Sequence, residues 1–468
     1  MVFSSLFFLF VFLPLNLILY FATNQRKLKN FILVFFSLIF YAWGEPIWVG
    51  LLLLSSLIDY LNGIFIEKYR GKPLAKLGII STLIFNLGIL FTFKYSDFIV
   101  QNVNFILGTE FKEPGFLLPI GISFYTFQTI SYTIDVYKGE VKAQRSFLNF
   151  LLFVSLFHQL VAGPIVRYSH IAHEIENRVF SWNDFSSGVS RFCRGLFKKV
   201  AIANVAGEIA SPLLENDLST LTVLGGWYGI VLYSLQIYFD FSGYSDMAIG
   251  MGRMFGFHYH ENFKHPYVSK SITDFWRRWH ISLSSCFRDY LYIPLGGNRT
   301  HPIRNLFIVW GFTGLWHGAS WNFVIWGLYF GVLLVLEKYV IGKLISKSFT
   351  IIQHLYALFF IVLGWAIFYF TDLNSLLDFL KILLGFTNVA LLDFKIQSLF
   401  IQNIYWFIFT LLACIPFYNH FNSWLHVKFK NRSGLVAGVD VSINLIFFLI
   451  SVTLLVGSTY NPFIYFRF

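Results

Sequence analysis

NLFIVWGFTGLWHGASWNFVIWGLYFGVLLVLEKYVI, residues 305–341, is a long apolar run with one histidine in it: His317, between Gly314 and Gly318 and among Trp316, Trp321 and Trp326. A stretch of about 20 apolar residues is enough to cross a bilayer as a helix. The run therefore predicts membrane-embedded helix. A polar side chain at depth is expensive there unless something compensates it, so His317 calls for a reason that Leu, Ile or Phe would not.

Working outward, the composition agrees with a lipid solvent. The 468 residues are 56% hydrophobic and 21% aromatic but only 13% charged, with a mean hydropathy of +0.64, whereas soluble domains carry about 25% charged residues. Segments of roughly spanning length recur at residues 4–21, 77–93, 117–134, 220–240, 305–341, 351–370, 397–416 and 441–457, with shorter ones between. These predict an all-α polytopic membrane protein of about eleven transmembrane or re-entrant helices. No Pro/Gly/Ser-rich linker or hydrophilic block large enough to fold separately interrupts the chain, so residues 1–468 are expected to form one membrane domain.

The first segment, SSLFFLFVFLPLNLILYF, has no Lys or Arg before it and no small-residue cleavage site after it. It reads as a retained helix, not a signal peptide. Basic residues follow in NQRKLKN (24–30) and EKYRGKPLAK (67–76). The positive-inside rule puts both loops in the cytoplasm and the N-terminus outside, with Gly44, Pro46 and Gly50 marking the turn between. The net charge of +11 lies mainly in such short loops. Topology and anionic lipid account for it there, and no nucleic-acid partner is expected. Cys193, Cys286 and Cys414 are widely spaced and predict neither a disulfide framework nor thiol chemistry.

Polar residues gather between about 119 and 331, the region where function is sought. LPIGISFYTFQTISYTIDVYKGE (118–140) sets Ser123, Thr126, Gln128, Ser131, Tyr132 and Asp135 along an apolar helix, a stripe suited to an interior, as interhelical hydrogen bonds or as a substrate path. FHQLVAGPIVRYSHIAHE holds His158, His170 and His173, and its Gly163-Pro164 pair predicts a broken helix lining a cavity. His170 and His173 have a metal-like spacing but no third ligand fixed nearby, so no metal site is expected.

The densest polar block spans residues 239–299. Asp240 and Asp246 sit in apolar surroundings, and arginines that follow are their expected partners. In SKSITDFWRRWHISLS, Ser271 or Thr273 can cap a helix. Asp274 can pair along that helix with Arg277 or Arg278, and one face would present Trp276, Arg277 and His280. Periodicity by itself equally describes an interfacial amphipathic helix. In IPLGGNRTHPIRN, Gly296 and Gly297 lie beside Arg299 and Arg304, a plausible anion site for a phosphorylated cofactor or for lipid phosphate.

Taken in order, PIGISFYTFQTISYTIDVY, VAGPI, FDFSGYSDMAIGMGRMFG, ENF, SITDFWRRWHISLS, FRDYLYIPLGGNR and LWHGASWNFVIWGLYFG resemble the membrane-bound O-acyltransferase family, most of all its bacterial alginate O-acetyltransferase branch. The similarity spans about residues 118–331, with a fainter match at MVFSSLFFLFVFLPL. The teichoic-acid D-alanyl branch shares the tryptophan-arginine-histidine and WHG blocks, but IPLGGNR looks more like the sugar-acetylating branch. The resemblance implies helices around a central tunnel that joins cytoplasm to exterior in the bacterial inner membrane. It implies two marked histidines, His317 in WHG as the catalytic one and His280 in RRWH. Along the same motifs, Asn262, Asp274, Trp276, Arg277, Arg278, Arg288, Arg299 and Trp316 are the candidates for substrate and donor binding. No permanently bound cofactor is implied. The implied donor is an acyl thioester, here acetyl-CoA, and the acceptor is a hydroxyl of an extracytoplasmic polysaccharide such as alginate or peptidoglycan. A serine esterase-like (SGNH) acetyltransferase outside the membrane is the implied partner.

Physically, Gly311, Gly314 and Gly318 would let a neighbouring helix or a substrate approach the backbone beside His317, while the tryptophans exclude water. Burial keeps imidazole neutral and competent as a base. Acyl transfer then needs an oxyanion donor, for which His280, Arg277, Arg278 and Asn262 are candidates. An acyl-histidine intermediate is a further route. Two readings from other classes use the same residues differently. A channel or exporter would place His317 and Asp240 in a proton relay, and a scaffold would only dock a partner enzyme.

Overall fold

The computed structural model describes residues 1–161, 163–429, 433–458 and 460–464. All regular structure among them is helical. The chain divides into two compact units, one of residues 1–192 with 244–260 and the other of residues 193–243 with 261–468. Among the described residues, seven helices are long and apolar enough to cross a membrane. In lipid the backbone must satisfy its own polar groups, and a helix does so within one segment.

The first unit holds α1 (Leu13–Phe21), α2 (Arg26–Gly44), α3 (Val49–Lys68), α4 (Ala75–Leu107) and α5 (Ile122–Lys138). Phenylalanine fills its core: Phe3 stacks on Tyr244 at 4.4 Å, and Phe12 meets Phe157 edge to face at 5.4 Å. The polar stripe of α5 is buried in this unit. Tyr132 packs against Gly63 of α3 and accepts the Gln144 N–H at 3.0 Å. Asp59 of α3 is also buried and accepts from Thr82 and Asn86 of α4, both at 2.8 Å. His158 bonds Tyr259 at 2.8 Å, and His170 lies edge-on to His260 at 4.3 Å. Val161 and residues 163–167 are not helical, as Gly163-Pro164 predicts, and Ala162 of the VAGPI motif lies outside the described residues. Arg70 donates to the Val141 carbonyl at 3.3 Å and Glu67 accepts the Ala143 N–H at 3.0 Å, so the basic loops after α3 and α5 share one end of this unit.

Helix α6 (Val223–Met254) supplies residues 223–243 to the second unit and the rest to the first. Its two aspartates are met by cations that precede them in the chain. Within the first unit Asp246 meets Arg191 at 2.8 Å, and within the second Asp240 meets Lys199 at 2.6 Å. Both partners come from upstream in the chain, which spacing along one helix cannot disclose.

The second unit also contains α7 (Ile272–Trp276), α8 (Ile281–Phe287), α9 (Pro302–His317), α10 (Trp321–Leu336), α11 (Thr350–Tyr369), α12 (Leu373–Leu383), α13 (Phe394–Cys414) and α14 (Ser433–Gly457). The run 305–341 is therefore two helices and not one. It unwinds after His317, where Gly318 and Ser320 are extended. The two halves then pack backbone to backbone. A Cβ on Gly314 would sit 2.2 Å from the Phe323 carbonyl oxygen, and one on Gly327 would sit 2.3 Å from that of Trp310. The small-residue spacing thus serves the partner helix of the same run, while Gly311 faces open space.

Candidate functional site

The unwinding after α9 places His317 at a helix end, where its side chain borders a cavity of about 780 Å³ in the second unit. The cavity is amphipathic. Its floor is aromatic and buried, built from Trp276, Trp279 and Trp310 with His280 and His317, and its rim carries the exposed Lys270, Arg277, Arg288 and Lys338. Trp316, Trp326 and Phe368 surround His317 edge to face at 4.9, 5.0 and 5.2 Å. Such a site takes a ligand with an anionic head and a slender, less polar tail.

His280 reaches this floor by a route other than a continuous helix. Helix α7 ends at Trp276, and His280 adopts a left-handed backbone (φ 44°) as the residue before α8. A non-glycine residue is strained there. The surrounding bonds over-determine it: Lys264 N–H donates to the Arg278 carbonyl at 2.9 Å and Ile281 N–H to that of Asn262 at 3.0 Å. The expected single face of Trp276, Arg277 and His280 is thus replaced by a turn, yet all three still line the cavity.

Asn262 is fully buried and holds His280 from behind. Its Oδ1 accepts the Ser282 N–H at 3.2 Å and the Ser282 hydroxyl at 2.9 Å, and lies 3.2 Å from His280 Nδ1. A backbone N–H can only donate, so this atom is the amide oxygen, and Nδ1 must carry the proton. Neutral His280 therefore keeps its lone pair on Nε2, which is buried with no hydrogen-bond partner. The cavity is offered an acceptor at this position, not an oxyanion donor. A buried donor without a hydrogen-bond partner does exist on the floor, in the Trp276 indole N–H.

The other sequence candidates separate. Asp274 accepts from Arg278 Nε at 2.8 Å and from the Lys270 N–H at 3.3 Å, which clasps the turn and ties Arg278 to it. Arg277 is left on the rim. Arg288 is also on the rim, bonded to Asp289 at 2.7 Å. Trp316 is buried between the histidines, 5.8 Å from His280. Arg299 and Arg304 are exposed, and neither is among the described residues lining the cavity. The turn at Gly296 and Gly297 is closed by Asn305, whose side chain donates to the carbonyls of Leu295, Gly297 and Thr300. Those carbonyls and the glycine φ values build a loop held from inside, not an anion cradle.

Sequence reasoning missed Glu337, Lys338 and Lys270. Buried Glu337 accepts the N–H groups of Ile272 and Thr273 at 2.5 and 2.8 Å and the Thr273 hydroxyl at 2.6 Å, fastening the start of α7. Lys338 reaches Asn298 of the glycine loop at 2.6 Å. The Glu-Lys pair that ends an apolar run was the available signal.

His317 and Trp279 also border a narrow void of about 20 Å³, with Asp240, Trp365, Phe368 and Ile464. That volume holds about one water. Asp240 is pinned there by Lys199 and by the Ile464 N–H at 2.8 Å. Ile464 in turn borders another cavity, of about 480 Å³. Within the second unit the three spaces are thus linked through shared walls, with His317 at the constriction.

Residues 140–380 match the model of the membrane-bound O-acyltransferase family. A probable alginate O-acetylase of Pseudomonas syringae pv. tomato is 44% identical over 377 residues, 79% of this chain and 72% of that protein. A peptidoglycan O-acetyltransferase of Helicobacter pylori is 37% identical over 429 residues, 84% of this chain and 81% of its own length. A teichoic acid D-alanyltransferase of Bacillus subtilis is more distant, 30% identical over 47% of this chain and 59% of its own. The chain belongs to the membrane-bound O-acyltransferase family. It is a multi-pass membrane enzyme that transfers acyl groups to oxygen.

Proposed function

We propose that the protein takes an acetyl group from acetyl-CoA on the cytoplasmic side of the inner membrane and delivers it to a hydroxyl of an extracytoplasmic polysaccharide, directly or through a serine esterase-like partner. The observation that carries this reading is that His317 borders both the cation-rimmed cavity and the constriction behind it. One imidazole can then meet a donor from one side and an acceptor from the other. Four rim cations suit the phosphates of a coenzyme, and the aromatic floor suits its acyl-bearing arm. The names of the alginate and peptidoglycan relatives support acetyl as the group and a polysaccharide as the acceptor.

In this mechanism His317 takes the proton of the acceptor hydroxyl as its oxygen attacks the thioester carbonyl. The Trp276 N–H donates to the oxyanion that forms. The carbon–sulfur bond breaks as the oxyanion collapses, and His317 returns its proton to the leaving thiolate. His280 Nε2 accepts a hydrogen bond from the donor's arm and orients the thioester. The channel and scaffold readings need neither a donor cavity nor a base at its floor.

The test is transfer of labelled acetyl from acetyl-CoA to an acceptor in proteoliposomes. His317→Gln keeps a polar group of similar reach but cannot take the proton, and is expected to lower turnover by about 10²- to 10⁴-fold. Near wild-type turnover in a monodisperse variant would sink the reading.

A further inference from the structure

A buried ion pair and a short irregular segment meet behind His317 in the second unit. Lys199 and Asp240 pair at 2.6 Å with their side chains 4% and 3% exposed. Both also hold the chain that follows α14. Lys199 Nζ donates to the Pro462 carbonyl, and the second Asp240 oxygen accepts the Ile464 N–H at 2.8 Å. The Asn204 amide donates to the Asn461 side chain at 3.1 Å, and the Gln236 amide to the Tyr460 hydroxyl at 3.4 Å. Residues 460–463 have no regular structure, so these bonds from neighbouring walls, and not a helix, fix where the segment lies. Ile464 is 6% exposed, and it is the residue that the described linings of the 20 Å³ void and the 480 Å³ cavity share.

Ser211, Asn216, Gln236 and Asp372 give the larger cavity a polar lining suited to water, while aromatic rings and Ile237 dominate the void beside His317. Water that reached His317 would compete with the acceptor. His317 would take its proton as its oxygen adds to the thioester carbonyl. The carbon–sulfur bond would break and the proton pass to the thiolate, leaving acetic acid and free thiol with no acceptor acetylated. Excluding water prevents that loss. A buried ion pair is weak evidence for stability, because desolvation offsets its attraction, and its best-attested use is to fix register. Here register determines which side chain fills the gap. Resting on the acyl-transfer reading above, we propose that the Lys199–Asp240 pair latches residues 460–464 so that Ile464 seals His317 from water in the polar cavity.

The experiment reads access to the void and loss of thioester in detergent-purified full-length protein. Ile237, 7% exposed, also lines the void, so Ile237→Cys places a thiol there. Its labelling by aminoethyl methanethiosulfonate is followed, with the same proteins lacking that substitution as blanks for Cys193, Cys286 and Cys414. Ile464→Gly is expected to speed labelling by about tenfold as a closed site opens to solvent. Hydrolysis of acetyl-CoA without acceptor is expected to rise by about tenfold as well. The double variant Lys199→Met, Asp240→Leu removes both charges without leaving one buried alone, and is also expected to speed labelling. Labelling unchanged by Ile464→Gly overturns the seal, and labelling unchanged by the double variant overturns the latch. Wild-type transfer of acetyl is measured alongside. Transfer that proceeds while Ile464→Gly leaves hydrolysis at the wild-type rate overturns the exclusion of water. Adding His317→Gln to Ile464→Gly is expected to abolish the extra hydrolysis. Absence of wild-type transfer, or extra hydrolysis that survives His317→Gln, undoes the acyl-transfer reading and leaves the labelling result standing.

Discussion

At the scale of single residues, the site depends on which atoms hold protons. Trp276→Phe keeps an aromatic ring against Trp310 and Phe330 but removes the N–H. Loss of one oxyanion donor typically lowers kcat about 10²- to 10³-fold. A fall in kcat with little change in donor KM is expected, and an unchanged kcat would assign the oxyanion elsewhere. His280, in the turn between α7 and α8, is pushed by burial below the ordinary histidine value of 6.5. A depressed folded pKa means that the unfolded chain binds the extra proton first. Stability from this group is therefore complete above 6.5 and is lost as pH falls below it. The slope reaches about 1.4 kcal/mol per pH unit. Melting in detergent should fall more between pH 7 and pH 5, roughly the histidine window, for wild type than for His280→Gln. Parallel curves would show that folding leaves the His280 pKa where it is in the unfolded chain.

At the scale of elements, the short helix α7 matters more than its five residues suggest, because Trp276 and Arg277 leave from its end. Five residues cannot hold themselves helical in isolation. Glu337 holds the start of α7 through three donors. Glu337→Gln keeps the size but weakens charge-assisted bonds, and Glu337→Ala leaves buried N–H groups unpaired at about 1–3 kcal/mol each. Both should raise the donor KM more than that of the acceptor, alanine the more. Equal effects on both would confine Glu337 to general stability. The hairpin of α9 and α10 shows the same dependence on contact. Gly314 lies where a β-carbon would strike backbone, so close approach of the helices, not room for substrate, is what its small size provides.

At the scale of the whole molecule, the basic loops decide sidedness. Loops 67–76 and 138–145 touch at one end of the first unit, and α2 begins at Arg26 after a further basic stretch. If these loops are cytoplasmic, a cysteine placed at Lys27 should resist an impermeant thiol reagent added to intact cells and label after permeabilisation. Strong labelling in intact cells would invert the topology and with it the proposed direction of acetyl flow.

Membrane embedding, the helical class and the motif order were legible in the residues, because lipid imposes apolar length and internal hydrogen bonding segment by segment. The turn between α2 and α3 was likewise written in Gly44 and Pro46, whereas Gly50, expected to mark it too, is already inside α3. His317 could be singled out as a polar side chain among aromatics, and His280 through the resemblance of its RRWH block to the family's motif. What periodicity could not supply was direction in space. The break after His317, the left-handed turn at His280 and the position of Arg299 and Arg304 outside the cavity's described lining are set by contacts that no helical or strand period encodes. Lys199 beneath Asp240, Glu337 at the start of α7 and Ile464 behind His317 belong to the same kind. A buried charge must be met by whatever group folding brings beside it, and that group need not be near in sequence. Local sequence thus determined solvent, helices and the residues worth watching. Only tertiary packing decided which of them share a cavity.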